Sequence, residues 1–200
     1  MDRTILAEAH DWWCGQLADI TDFPIEKSRR WFDRSEETDG YIRATFGPYL
    51  DAVAAHDWAL SELTREEAVG LVLFLDQFPR NIFRKNAQAF AYDGVALDHA
   101  RAVIEGGLSD FCLVERVFLF LPFEHSEEMS DQDRSIALFA SLLLQAPDDQ
   151  KEIYREFFKY AYLHWDLIRR FGRFPHRNAD LGRETTPQEA EFLAKNGRGY

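Results

Sequence analysis

Thr64-Arg65-Glu66-Glu67-Ala68-Val69-Gly70-Leu71-Val72-Leu73-Phe74-Leu75-Asp76-Gln77-Phe78-Pro79 is the stretch that decides the fold. Thr64 and Glu67 stand three apart, the spacing of a capping box. The hydroxyl accepts from the third helical amide, and the Glu side chain reaches back to the Thr amide. Val69, Leu71, Val72, Leu75 and Phe78 follow at helical spacing, which predicts a helix that Pro79 stops.

The same period runs outward in both directions. Thr4 can cap a first helix with Ile5, Ala9, Trp12, Trp13 and Leu17. A second helix covers about 25–32, and a third about 39–55, broken at Gly47-Pro48. Asn86 can open a helix that ends at Gly106-Gly107, and Ser109 one that Pro122 ends. Ser130 can cap the helix of 132–144. Pro147 or Asp148 opens a long one reaching Phe171, with Gly172 just past its end. Thr186-Pro187-Gln188-Glu189 repeats the capping box with Pro in the first turn. No segment alternates apolar and polar residues between turn signals. The expectation is an all-α chain forming one domain over 1–200, with no TPR-length self-similarity visible in the spacing.

Composition narrows the function. Asp and Glu total 35 against 23 Lys and Arg, a formal charge of -12. Such a surface repels phosphate backbones and anionic bilayers, so neither nucleic acid nor membrane is an expected partner. The longest apolar runs, 117–123 and 136–144, fall far short of the ~20 residues a spanning helix needs. The N-terminus carries no secretory apolar run. Cys14 and Cys112 are the two cysteines, in apolar surroundings and without a CxxC. Buried inert thiols in a reducing compartment follow, and with them a soluble cytoplasmic protein. Cys112 has no cationic neighbour in sequence to activate it.

Three polar stretches lie between apolar segments. The first is Asp76-Gln77-Phe78-Pro79-Arg80-Asn81 with Arg84. The second is Pro122-Phe123-Glu124-His125-Ser126-Glu127-Glu128. The third is 169–183, which holds five Arg and one His in an acidic chain. Arg presents a bidentate fork for carboxylate or phosphate. Asp76, Arg80, Asn81, Arg84, Arg173, His176, Arg177 and Asn178 are therefore candidate ligand-binding residues, for an anionic small molecule or acidic peptide group in a cleft. His125 between Glu124 and Glu127 is the candidate acid–base group, with Arg173 and Arg177 stabilising negative charge in a hydrolase-type alternative. A third possibility is structural: Arg80, Arg173 and Arg177 pair with Asp76, Glu124 or Glu127, and function lies in a protein–protein surface. Without HExxH or a ligand set, neither metal nor other cofactor is expected. No complete catalytic motif is present, which favours binding, and whether the chain is an enzyme stays open. His164 reads as a helix packing residue. Trp12, Trp13, Phe118, Phe120 and Phe158 read as core.

These stretches resemble a known family. Asp76-Gln77-Phe78-Pro79-Arg80-Asn81-Ile82-Phe83-Arg84, Phe90 with Asp93, and Leu121-Pro122-Phe123-Glu124-His125-Ser126-Glu127 are similar to motifs of the bacterial domain of unknown function number 924. So is Arg170-Phe171-Gly172-Arg173-Phe174-Pro175-His176-Arg177-Asn178 with Leu181-Gly182-Arg183, Thr185-Thr186-Pro187 and Glu189. The resemblance covers about 12–193. It implies a TPR-like fold of antiparallel helical hairpins and no particular activity.

Overall fold

The structure, a computed structural model, describes residues 2–197. Among them are ten α-helices, four short 3₁₀ segments and no strand. The chain clusters into two compact units. One comprises the chain up to Arg84 with Gln88–Pro122, the other Lys85–Ala87 and the chain from Phe123 onward.

The first unit contains α1 (Thr4–Trp13), α2 (Ile25–Phe32), α3 (Glu36–Thr45), α4 (Leu50–Ala55), α5 (Arg65–Ile82), α6 (Asp93–Gly106) and most of α7 (Leu113–His125). The Thr64 capping box forms as the spacing requires, with both reciprocal bonds present. At Gly70 the backbones of α5 and α1 come together: a Cβ there would lie 2.0 Å from the Leu6 carbonyl oxygen. Only glycine lets the two helices approach so closely. The core is aromatic. Trp13, Phe46, Phe74, Phe78 and Phe118 are buried. Phe46 stacks on Phe78 at 4.8 Å, and Trp13 meets Phe78 and Phe118 edge-on at 5.7 and 5.9 Å. Phe120 is also core, whereas Trp12 and Phe158 are only half-buried.

Two prolines do not end their helices. Pro79 lies inside α5 and Pro122 inside α7. A proline ring deprives the preceding turn of a main-chain donor, and side-chain donors reach other main-chain carbonyls close to both prolines. The Arg80 guanidinium donates to the Asp76 carbonyl at 2.6 Å. Gln132 Nε2 donates to the carbonyls of Glu124 and Ser126, each at 2.7 Å. Other starts move later than the cap residues suggest. Asn86 leads only into a 3₁₀ turn over Ala87–Phe90 and α6 begins at Asp93. Ser109 opens nothing, and α7 starts after Cys112, whose amide donates to Glu115 Oε2 at 2.7 Å.

The second unit holds α8 (Met129–Gln145), α9 (Lys151–Phe171) and α10 (Pro187–Asn196). Gly172 ends α9 in the left-handed conformation at φ 68°, a position that favours glycine. Leu167, Ile168, Phe174 and Phe192 form its core. The second capping box, Thr186 with Glu189, starts α10.

Candidate functional site

Asp76, Arg80 and Asn81 project from the last turns of α5, and Arg84 follows just past its end. Arg80 grips Asp93 with both arms, at 2.8 and 2.9 Å, and lies 3.4 Å from the Asp76 carboxylate. Asn81 Nδ2 donates to Asp39 Oδ1 at 2.9 Å. Arg84 holds both oxygens of Asp39, through Nε and through Nη2 at 2.7 Å. Burial raises the Asp39 pKa, but the bonds from Arg84 and Asn81 outweigh it and leave the group below the usual carboxylate range. The forks of Arg80 and Arg84 thus close on the chain's own carboxylates. Asp39 lies 45 residues before Arg84, and nothing in its local spacing marks it as a partner, whereas Asp93 is itself one of the residues that carry the family resemblance.

In the second unit the arginines are held in the same way. Arg173 binds Glu189 through Nε and Nη2, at 2.6 and 2.8 Å, and donates to the Glu184 carbonyl at 2.7 Å. Asn178 Nδ2 donates to Glu189 at 3.2 Å. The Arg173 bond first, with the Thr186 bonds behind it, holds the Glu189 pKa down at about 2 against the effect of burial. Arg183 grips Glu127 at 2.6 and 3.0 Å, and Glu127 also accepts from the Phe174 amide at 2.8 Å. Arg173 and Glu127 therefore pair, but with Glu189 and Arg183 rather than with the partners the motifs suggested. Both pairs tie the 172–186 loop to the ends of flanking helices.

A different arrangement surrounds Phe174. The Arg177 guanidinium stands 4.5 Å from the Phe174 ring centre, the His164 ring 5.4 Å and the His176 ring 5.5 Å. The His125 ring lies 6.3 Å from that of His164. Glu124, nearly fully buried, places Oε1 3.0 Å from His164 Nδ1. The Tyr160 carbonyl sits 2.9 Å from the same nitrogen. Both neighbours are acceptors, so Nδ1 carries a proton and Nε2 is the nitrogen that gains or loses one. Burial opposes the charged ring, but the Glu124 carboxylate outweighs it, with help from Tyr160, and raises the His164 pKa above the ordinary imidazole value. Arg177 pulls the other way. His164 is the member that sequence reasoning missed. Its place among the aromatics of α9 resembles a packing position, and only the contact with Glu124 distinguishes it.

Among the described residues no three His, Cys, Asp or Glu side chains gather in a metal-holding group. Cys112 does have a cationic neighbour, contrary to expectation: Arg65 Nη1 approaches its Sγ at 3.5 Å. Burial and Glu115 dominate, however, and push the thiol up to about 11.

The fold and these internally paired motifs define an all-helical protein in which Arg80, Arg84, Arg173 and Arg183 each meet a carboxylate of the chain itself. The chain belongs to the family described as bacterial protein of unknown function (DUF924), whose profile matches residues 9–197. It is similar to the solved structure of a protein of unknown function, ATU0120, from Agrobacterium tumefaciens. The two are 32% identical with a TM-score of 0.78, over 97% of this chain and 99% of that one. Among curated proteins nothing matches. No described helix is long and apolar enough to cross a membrane.

Proposed function

We propose that the second unit binds an anionic group, a carboxylate or phosphate, at the cluster of His125, His164, His176 and Arg177 around Phe174. One observation carries this: Glu124 fixes the Nδ1 side of His164 at 3.0 Å and favours its charged form. The ring then presents Nε2–H as a donor, beside a guanidinium and two further imidazoles. Arg80, Arg84 and Arg173 become the framework that holds the motif loops, with Asp76, Asn81 and Asn178 as part of it.

Thermal unfolding against inorganic phosphate, acetate, nucleotides and an acidic peptide tests the proposal. An anion at ~100 times its Kd adds ~2.7 kcal/mol to wild type. That gain shrinks as pH rises through the His164 titration and is lost in His164→Asn. If no anion shifts wild type, or His164→Asn responds equally, the site is not there.

The fixed proton on Nδ1 also supports a second reading, a hydrolase-type site with the Glu124–His164 pair as acid–base element and His125 beside it. Turnover of a nitrophenyl ester or phosphoester that His164→Asn abolishes would favour it.

A TPR-like hairpin architecture is part of the same proposal. α8 and α9 are joined by five residues, and Asp133 near the start of α8 accepts from Trp165 near the end of α9 at 2.8 Å. That is the geometry of an antiparallel hairpin. Free, buried Cys14 and Cys112 suit a reducing, cytoplasmic setting. The charge of -12 argues against nucleic acid and membrane as partners.

A further inference from the structure

The groove between α2 and α3 has no part in the Phe174 cluster. Glu26, Arg29 and Arg30 follow one another along α2 at steps of three and one, which puts them on one face of the helix, and Asp33 stands just past its end. Facing them are Glu37 and Tyr41 of α3, with Arg34 in the link, around a cavity of about 510 Å³. That is the size range of small-molecule sites, ~300–1,000 Å³.

Trp12 forms the floor. Tyr41 stacks on it at 4.6 Å and 13°, and the Arg30 guanidinium sits 4.5 Å from the Trp12 ring centre. Arg30 is further held by a bond to the Trp12 carbonyl. Tyr41 is still 44% exposed. Among the described residues, Arg29 and Arg34 make no ion pair or side-chain hydrogen bond, and neither do the carboxylates of Glu26, Asp33 and Glu37.

The lining thus holds three guanidinium groups and three carboxylates over an aromatic floor, in a chain whose net charge is -12. A simple anion entering it gains the arginines but meets the carboxylates, and a simple cation meets the reverse. A zwitterion with a flat ring satisfies both signs and stacks on Tyr41. We propose that this groove binds a free aromatic amino acid, its carboxylate on Arg29 and Arg34, its ammonium on the acidic residues and its ring on Tyr41, which Trp12 backs.

Isothermal titration of the full chain with L-phenylalanine at low salt tests this. Two single-charge analogues serve as comparison, 3-phenylpropionate without the ammonium and phenethylamine without the carboxylate. The double variant Arg29→Ala/Arg34→Ala changes two residues that hold no other side chain, so its fold, checked by circular dichroism, is expected to match wild type. Phenylalanine should bind wild type, with either analogue or the double variant weaker by about tenfold or more. The proposal is overturned by absence of binding to wild type, or by equal binding of either analogue or of the double variant.

Discussion

Arg173 meets Glu189 fork to fork, Nε on Oε1 at 2.6 Å and Nη2 on Oε2 at 2.8 Å, while Glu189 also accepts from the Thr186 amide at 2.7 Å. One carboxylate therefore caps α10 and anchors the arginine of the preceding loop.

A group with a depressed folded pKa stabilises above its unfolded value and loses that contribution as pH falls through the folded one. For Glu189 the window runs from the ordinary 4.5 down to about 2. Urea midpoints of wild type should fall across this acid range, and those of Glu189→Gln should start lower and fall less steeply. Equal slopes would mean that the pair contributes nothing to acid stability.

His164 has the opposite sign. Its raised pKa contributes stability that is complete below the ordinary 6.5 and is lost as pH rises through the folded value. Replacing Glu124 by Gln removes the main cause of the rise. Proton NMR titration of the imidazole should find His164 titrating lower in Glu124→Gln than in wild type, and an unchanged titration would separate the two residues.

Gly70→Ala forces a methyl group against the Leu6 backbone, which cannot move aside as a flexible side chain would. The expected loss is about 1–3 kcal/mol or more. It would appear as a lower chemical-denaturation midpoint, and full stability would show that α1 and α5 can slide apart at little cost.

Thr64→Ala removes the hydroxyl that accepts from the Glu67 amide at 3.2 Å. Loss of a cap of this kind costs about 1 kcal/mol. Thr64→Ser should retain most of the stability, because it keeps the accepting oxygen.

Cys14 and Cys112 are both buried, and burial leads the rise of each thiol pKa, Cys112 reaching about 11. A thiol reagent at neutral pH should label neither in the native protein and both in denaturant. Fast labelling of Cys112 in the folded chain would mean that Arg65 activates it after all.

Local sequence determined the all-helical class, both capping boxes, the break at Gly47-Pro48 and the stop at Gly172, because each depends on residues within a turn of one another. It also marked the polar stretches as unusual, through arginine clustering in an acidic chain. It could not tell that Pro79 and Pro122 are carried inside helices, since a proline reads locally as a stop and only the packing of the whole chain overrides it. It offered Asp76 for Arg80, an ion pair one turn apart that the structure has at 3.4 Å, but not the distant carboxylates that the other arginines meet. Asp39 is 45 residues from Arg84, Glu127 is 56 from Arg183, and Glu124 is 40 from His164. Such pairs are chosen by helix packing, which no local pattern encodes. Tertiary structure alone decided that Arg80, Arg84 and Arg173 are bound by the protein itself, and that a histidine hidden among aromatic residues faces the buried Glu124.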